Sequence, residues 1–219
     1  MVGVIAASHI IESLNLTQLG TVMDENFPAV ALIQNEVPRH PVRVYQGDGI
    51  GVFTAEIQFE KEQDIAFGST VLEWFRVGGF DQLIIIDGIL KPEKQIQGEG
   101  LFAVGANAVA RDRLKSLDLQ TIQRGIVSGI TGFLLSEGDR LNLDITALLS
   151  EASPMYPDVR AAAVAIEAIT EMTGKEIPLS AMLENARSIE QSVQEIIESA
   201  TPLLPSPDDD DAINDPSFG

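Results

Sequence analysis

The segment from Gly125 to Ala168 constrains the fold more than any other part of the chain. It opens Gly-Ile-Val-Ser-Gly-Ile-Thr-Gly-Phe-Leu-Leu and, after a polar turn, continues Leu-Asn-Leu-Asp-Ile-Thr-Ala-Leu-Leu-Ser. It closes on Ser-Pro-Met-Tyr-Pro-Asp-Val-Arg-Ala-Ala-Ala. Physically this is a glycine-punctuated buried segment, an apolar strand, a proline-braced loop and a helix begun by proline. None of these pieces supplies a nucleophile, an acid–base pair or a metal cage. The most informative stretch is scaffold, which favours binding over catalysis.

Elsewhere, strand and helix patterns alternate. Val2–Ala7, Ala29–Gln34, Val42–Tyr45 and Leu83–Asp87 have the length and β-branched content of strands. Val52–Phe59 alternates apolar and polar residues, as on a sheet with one wetter face. The unbroken run ending in Asp87-Gly88 predicts a central strand covered on both sides. Leu101–Val104, Gly125–Ser128 and Leu141–Leu149 predict further strands. Helices are expected over Ser8–Leu16, over Ile65–Val77 with Asp64 as N-cap and Gly78-Gly79 as stop, and over Asn107–Leu117 and Thr131–Ser136. Another runs over Val159–Met172, with Pro157 at its first position and Gly174 ending it. Helices between apolar strands imply an α/β fold with a largely parallel central sheet flanked by helices.

The C-terminal region has a different character. Residues 179–200 read as an amphipathic helix in which Met182, Ala186, Ile189, Val193 and Ile196 form a two-heptad seam for docking to a neighbour or to the protein's own sheet. Residues 202–219 follow as a flexible acidic tail, extended by prolines and by four consecutive aspartates that repel one another. The folded domain is therefore expected over residues 1–201.

Charge and composition narrow the function classes. The formal net charge of −19 would repel a phosphate backbone, which argues against nucleic acid and anionic membrane as partners. From Glu176 onward ten acids face one base, Arg187, so the last 44 residues carry −9. That acidity serves either solvation in a salty cytosol or an electrostatic search for a basic partner. The absence of cysteine removes disulfides, thiol nucleophiles and thiolate metal sites, and a reducing cytoplasm is the simplest setting. No apolar run approaches the ~18–20 residues that span a bilayer.

Individual candidates have two readings each. Gly125, Gly129 and Gly132 either pack a helix closely on a strand or present backbone amides to an anion; their spacing fits neither a dinucleotide fingerprint nor a P-loop. Asp87, at a strand end, is either a functional carboxylate or a turn residue with Gly88. His9 and His40 lack the companions of a metal site, and Ser8 lies too close to His9 in sequence for a hydrolase triad. No cofactor is expected.

Taken together, the order and spacing of several stretches resemble the proteasome assembly chaperone family in its archaeal-type single-domain form. These are Val2-Gly-Val-Ile-Ala-Ala-Ser-His-Ile-Ile-Glu-Ser-Leu, Phe27-Pro-Ala-Val-Ala, Pro41-Val-Arg-Val-Tyr, Leu83–Gly88, the glycine segment from Gly125, and Tyr156-Pro-Asp-Val-Arg-Ala-Ala-Ala. The likeness covers nearly all of residues 2–199. It implies a non-enzymatic α/β chaperone that forms homo-oligomers and binds proteasome α subunits. Members often end in a hydrophobic–tyrosine–any-residue tail that inserts between neighbouring α subunits. Here Phe218 stands where the tyrosine would be, Gly219 provides the carboxylate, and Ser217 departs from the hydrophobic position. The family also implies a strand and a Gly-rich turn ahead of the segment matching Val2, which this sequence does not show. The rival expectation is a small-molecule enzyme on a nucleoside-phosphorylase-like or ATP-grasp-like scaffold, with an anion cleft near Asp87 and Gly129–Gly132.

Overall fold

Helix α1 (Val2–Ser13) begins the chain, followed by strand β1 (Thr17–Thr21), the hairpin β2 (Leu32–Gln34) and β3 (Val37–Arg39), and strands β4 (Val42–Gly47) and β5 (Ile50–Ala55). A 3₁₀ turn leads into α2 (Asp64–Val77), β6 (Leu83–Leu90), β7 (Leu101–Gly105), α3 (Ala108–Ser116), α4 (Gly129–Leu141), β8 (Ile145–Ala152) and α5 (Val159–Thr173). This computed structural model describes residues 1–34, 36–90, 100–153 and 157–184. The expected tail and four seam residues, Ala186, Ile189, Val193 and Ile196, lie outside them.

Expectation and structure part first at Val2–Ala7, which is helical. Val2, Ala6 and Ile10 recur every four residues and are all buried, so one helical face serves the core. Small residues permit this placement: a Cβ on Gly3 would lie 2.5 Å from the Ile86 carbonyl oxygen, so α1 rests directly on β6. The strand expected over Ala29–Gln34 shrinks to Leu32–Gln34, and that over Val52–Phe59 shifts to Ile50–Ala55. Gly125–Ser128 forms no strand but leads into α4, which is longer than Thr131–Ser136. The run Leu141–Leu149 divides, because Asn142 takes a left-handed conformation that ends α4 before β8 begins.

The sheet also differs from a largely parallel one. Among the described residues β6 and β8 form a parallel pair, whereas β7–β8, β1–β4, β4–β5 and β2–β3 are antiparallel. In the order β6-β8-β7 the middle place belongs to β8, and the Leu83 run lies at the flank. Strand composition alone does not reveal this, since β6 still packs partly buried residues against helices on both faces. Ile84 and Ile86 pack with α1 and α5, while Leu83, Ile85 and Ile89 pack with α2 and α4. On β8 likewise, Leu148 joins the first layer, and Ile145, Ala147 and Leu149 join the second. The result is helix layers on both faces of the sheet.

Capping sets the helix limits. Asn107 accepts a hydrogen bond from the Ala110 N–H (2.8 Å) and starts α3. At α2, Asp64 is the first helical residue and not the cap; Glu60 and Gln63 form a capping box on the preceding 3₁₀ turn. Pro157 precedes the cap of α5, which is Asp158, and Gly174 ends that helix at φ +67°. Asp158 accepts from the N–H groups of Ala161 (3.0 Å) and Ser153 (2.9 Å), tying the strand exit to the helix start. Asp158→Ala is expected to cost about 1–2 kcal/mol, read as a lower midpoint in urea denaturation.

Candidate functional site

The second half of β6 and the start of α4 bring together Asp87 and Gly129, two of the features singled out in the sequence; Asp87 is the fifth of the eight residues of β6 and not its end. Asp87 accepts hydrogen bonds from its neighbour's N–H, at Gly88 (2.8 Å), and from the Thr131 hydroxyl (2.8 Å). Thr131 is buried in the first turn of α4, and Asp87 is exposed. Gly129 opens that helix at φ +69°, a conformation favouring glycine. A Cβ there would lie 3.9 Å from Asp64 Oδ2. Two carboxylates therefore flank the N-terminus of α4 and complement its dipole, the role a bound anion would fill.

The three glycines have different surroundings. A Cβ on Gly132 would meet the Val127 carbonyl oxygen at 2.2 Å, so the helix packs on its own lead-in segment. On Gly125 it would sit 3.4 Å from Ile122 Cγ2, an ordinary contact. Further along α2 and α4, a groove of about 560 Å³ is lined by Leu72, Glu73, Arg76, Val77, Phe133 and Glu137. There Arg140 hydrogen-bonds Glu137 (2.9 Å) and holds its carboxyl below the ordinary range.

What the sequence reading missed is how much apolar surface this end leaves uncovered. Met1, Ile65, Leu90 and Ile126 are exposed by 80%, 64%, 77% and 96%. Three of them lie in sequence at or close to residues of this region. Val2 lies 3.1 Å from a Cβ position on Gly88, Ile65 adjoins Asp64, and Ile126 lies three residues before Gly129. The loop after β1 is tied to the lead-in of α2, because Gln63 donates to the Asn26 carbonyl (3.0 Å) and Phe27 packs on Phe59 and Phe67. Grouped exposed apolar residues mark interaction surfaces. The carboxylates of Asp64 and Asp87 nearby suit a partner that is apolar and basic.

Other candidates fall elsewhere. His9 Nε2 donates to the Pro178 carbonyl (2.7 Å), with Ser13 Oγ 3.2 Å away, so it fastens the segment after α5 to α1. Ile177 and Met182 of that segment are buried in the α1–α5 core, so Met182 packs against its own domain. His40 is exposed between β3 and β4. Ser217, Phe218 and Gly219 lie outside the described residues. Among the described residues no cluster of three metal-ligating side chains occurs, and no helix is long and apolar enough to cross a membrane.

Known proteins share this architecture. Pyrococcus furiosus PbaA superposes with a TM-score of 0.84 at 24% identity, covering 92% of this chain and 84% of that one. Pyrococcus furiosus PbaB gives a TM-score of 0.74 at 23% identity, covering 89% and 88%. An uncharacterized protein of Methanocaldococcus jannaschii is 24% identical over 213 residues, 93% of this chain and 84% of the relative. The model of the PAC2 family matches residues 1–197, the whole α/β body described above. That match runs through both helix layers and every strand, and the chain belongs to the PAC2 family.

Proposed function

We propose that this chain is a non-enzymatic chaperone that engages proteasome α subunits and aids assembly of the 20S core, acting as a homo-oligomer in the cytoplasm. The family match across the α/β body carries the reading. Among its structural relatives, PbaA is an archaeal homologue of proteasome-assembly chaperone and PbaB an archaeal proteasome activator. In this reading the apolar, carboxylate-bearing face around Asp87, Ile126 and Ile65 is the main contact. Ser217, Phe218 and Gly219 form an auxiliary anchor, with the phenyl ring seated between α subunits and the terminal carboxylate paired with a cation.

Removing residues 202–219 tests the anchor. Burying one phenylalanine side chain is worth about 1.5–3 kcal/mol, so the deletion is expected to weaken α-subunit binding by about one to two decades. The melting temperature should stay where it was. Binding measured by native mass spectrometry with cognate α subunits that ignores the deletion would remove the tail from the reading. Absence of any complex, with or without the tail, would remove the α subunits. A thermal shift of several degrees with phosphate or nucleotides, abolished by Gly129→Val, would instead support the small-molecule alternative.

A further inference from the structure

We propose that Asp48 is a site of spontaneous conversion to isoaspartate, and that Lys175 restrains the conversion. Aspartate stands before glycine at two places in the chain, Asp48-Gly49 and Asp87-Gly88. Glycine has no Cβ to shield its backbone nitrogen, so that nitrogen can attack the side chain of the aspartate before it. The Gly49 nitrogen bonds to Cγ of Asp48, and the amide proton leaves with the carboxyl hydroxyl as water, giving a cyclic imide. Water then adds at the main-chain carbonyl of Asp48, and the bond from that carbonyl to the nitrogen breaks. The chain now runs through Cγ at unchanged mass, and no other reagent is consumed.

The two places differ in what ring closure must disturb, because closure turns the aspartate about its Cα–C bond. Asp87 is held in β6 by its register with Leu149 of β8, and its carboxylate accepts from Thr131 and from Gly88. Turning it would open the sheet beside its middle strand. Asp48 lies instead at a hairpin tip: Gly47 pairs with Ile50, leaving Asp48 and Gly49 as the whole loop between β4 and β5. Both have positive φ, +50° and +76°, as a tight two-residue hairpin turn requires. The Asp48 side chain is 66% exposed, and no atom outside the chain neighbours of Gly49 lies within 4 Å of a Cβ placed there. Such loop tips move at little cost to the fold.

One contact opposes the reaction. Lys175 Nζ lies 2.6 Å from Asp48 Oδ2, so the carboxylate must leave the ammonium before it can swing onto the Gly49 nitrogen. Conversion also acts back on that contact. An extra main-chain atom does not fit this turn, and the carboxylate that Lys175 holds is displaced. The segment after α5, which buries Ile177 and Met182 against α1 and α5, then loses one polar pin and keeps the hydrogen bond from His9 to Pro178.

The test is incubation of the full-length chain for weeks at neutral pH. Isoaspartate is counted by labelling with an isoaspartyl carboxyl methyltransferase and located by electron-transfer fragmentation of proteolytic peptides. It is expected at Asp48 ahead of Asp87. Lys175→Ala should speed its appearance by up to about fivefold, the factor a surface ion pair can hold back, and Lys175→Arg should restore the wild-type rate. Asp48→Glu keeps the charge but closes a larger ring far more slowly, so the signal at that position should vanish. Isoaspartate appearing first at Asp87 would overturn the proposal. So would an intact Asp48 over a period in which a free peptide of the same local sequence converts. A Lys175→Ala chain that converts at the wild-type rate would remove the restraint. No partner is present, so the result is independent of what the chain binds.

Discussion

Replacing Arg43 with alanine is expected to destabilise the chain by about 3 kcal/mol, the lower end of the range for breaking a buried ion pair. The arginine sits on β4 with only 3% of its side chain exposed and is paired with Glu56, itself 18% exposed. It also donates to Gln34 of the hairpin and lies 5.9 Å from the centre of the Tyr45 ring. Truncation strands the Glu56 carboxylate in a largely dry site and leaves the Gln34 amide without this donor. The residual solvent access of Glu56 moderates the loss. Replacing both partners, Arg43→Met with Glu56→Leu, should recover much of it, since paired removal leaves no isolated charge. Urea denaturation of the two single variants and the double variant closes the cycle; a double loss equal to the sum of the two single losses would refute the coupling. Because Arg43 also holds the hairpin, Arg43→Ala should speed amide exchange in β2 and β3 more than in β6 or β8.

A second large effect is expected at Leu148, where alanine should cost about 3–5 kcal/mol. Leu148 has no exposed surface and lies on the middle strand. The buried layer it shares with α1 and α5 includes several alanines of α5, among them Ala161, Ala162 and Ala163, together with Ile166. Alanines give the helix a close approach to the sheet but have no rotamers with which to fill a vacated volume. The cavity should therefore persist, and the cost lies toward the upper part of the leucine-to-alanine range. Thermal and chemical denaturation read this directly. A loss under about 1 kcal/mol would mean that α5 collapses onto the sheet.

Local chemistry explains which elements the sequence discloses. Helices α2, α3 and α5 carry periodic apolar positions together with terminal signals, as in Asn107 before α3 and Gly174 after α5. The run Leu83–Asp87 is evident because its apolar residues pack, partly buried, against helices on both sides. Val2–Ala7 misleads because its β-branched residues resemble a strand, while burial at every fourth position makes it a helix. Sheet order is hidden for a different reason. Whether β7 runs parallel or antiparallel to β8 depends on pairing between segments about forty residues apart, and no local pattern encodes it. The candidate face is legible only in part. Asp87 stands out as the acid that ends an apolar run, although β6 continues three residues past it, but Ile65, Leu90 and Ile126 look like core residues until the structure leaves them outside. Exposure is a property of the assembled fold.

The position of β8 bears on how this chain is made. It is the last of the described strands to leave the ribosome, yet it is inserted between β6 and β7 and supplies the ladder for both. Until residue 152 has emerged, two apolar segments wait with unsatisfied backbone edges, as do the inner surfaces of α2 and α4. A stall in translation before that point should leave a product unable to close its core and open to capture by other nascent chains. A protein proposed to shepherd the assembly of others would thus have its own most vulnerable interval during synthesis.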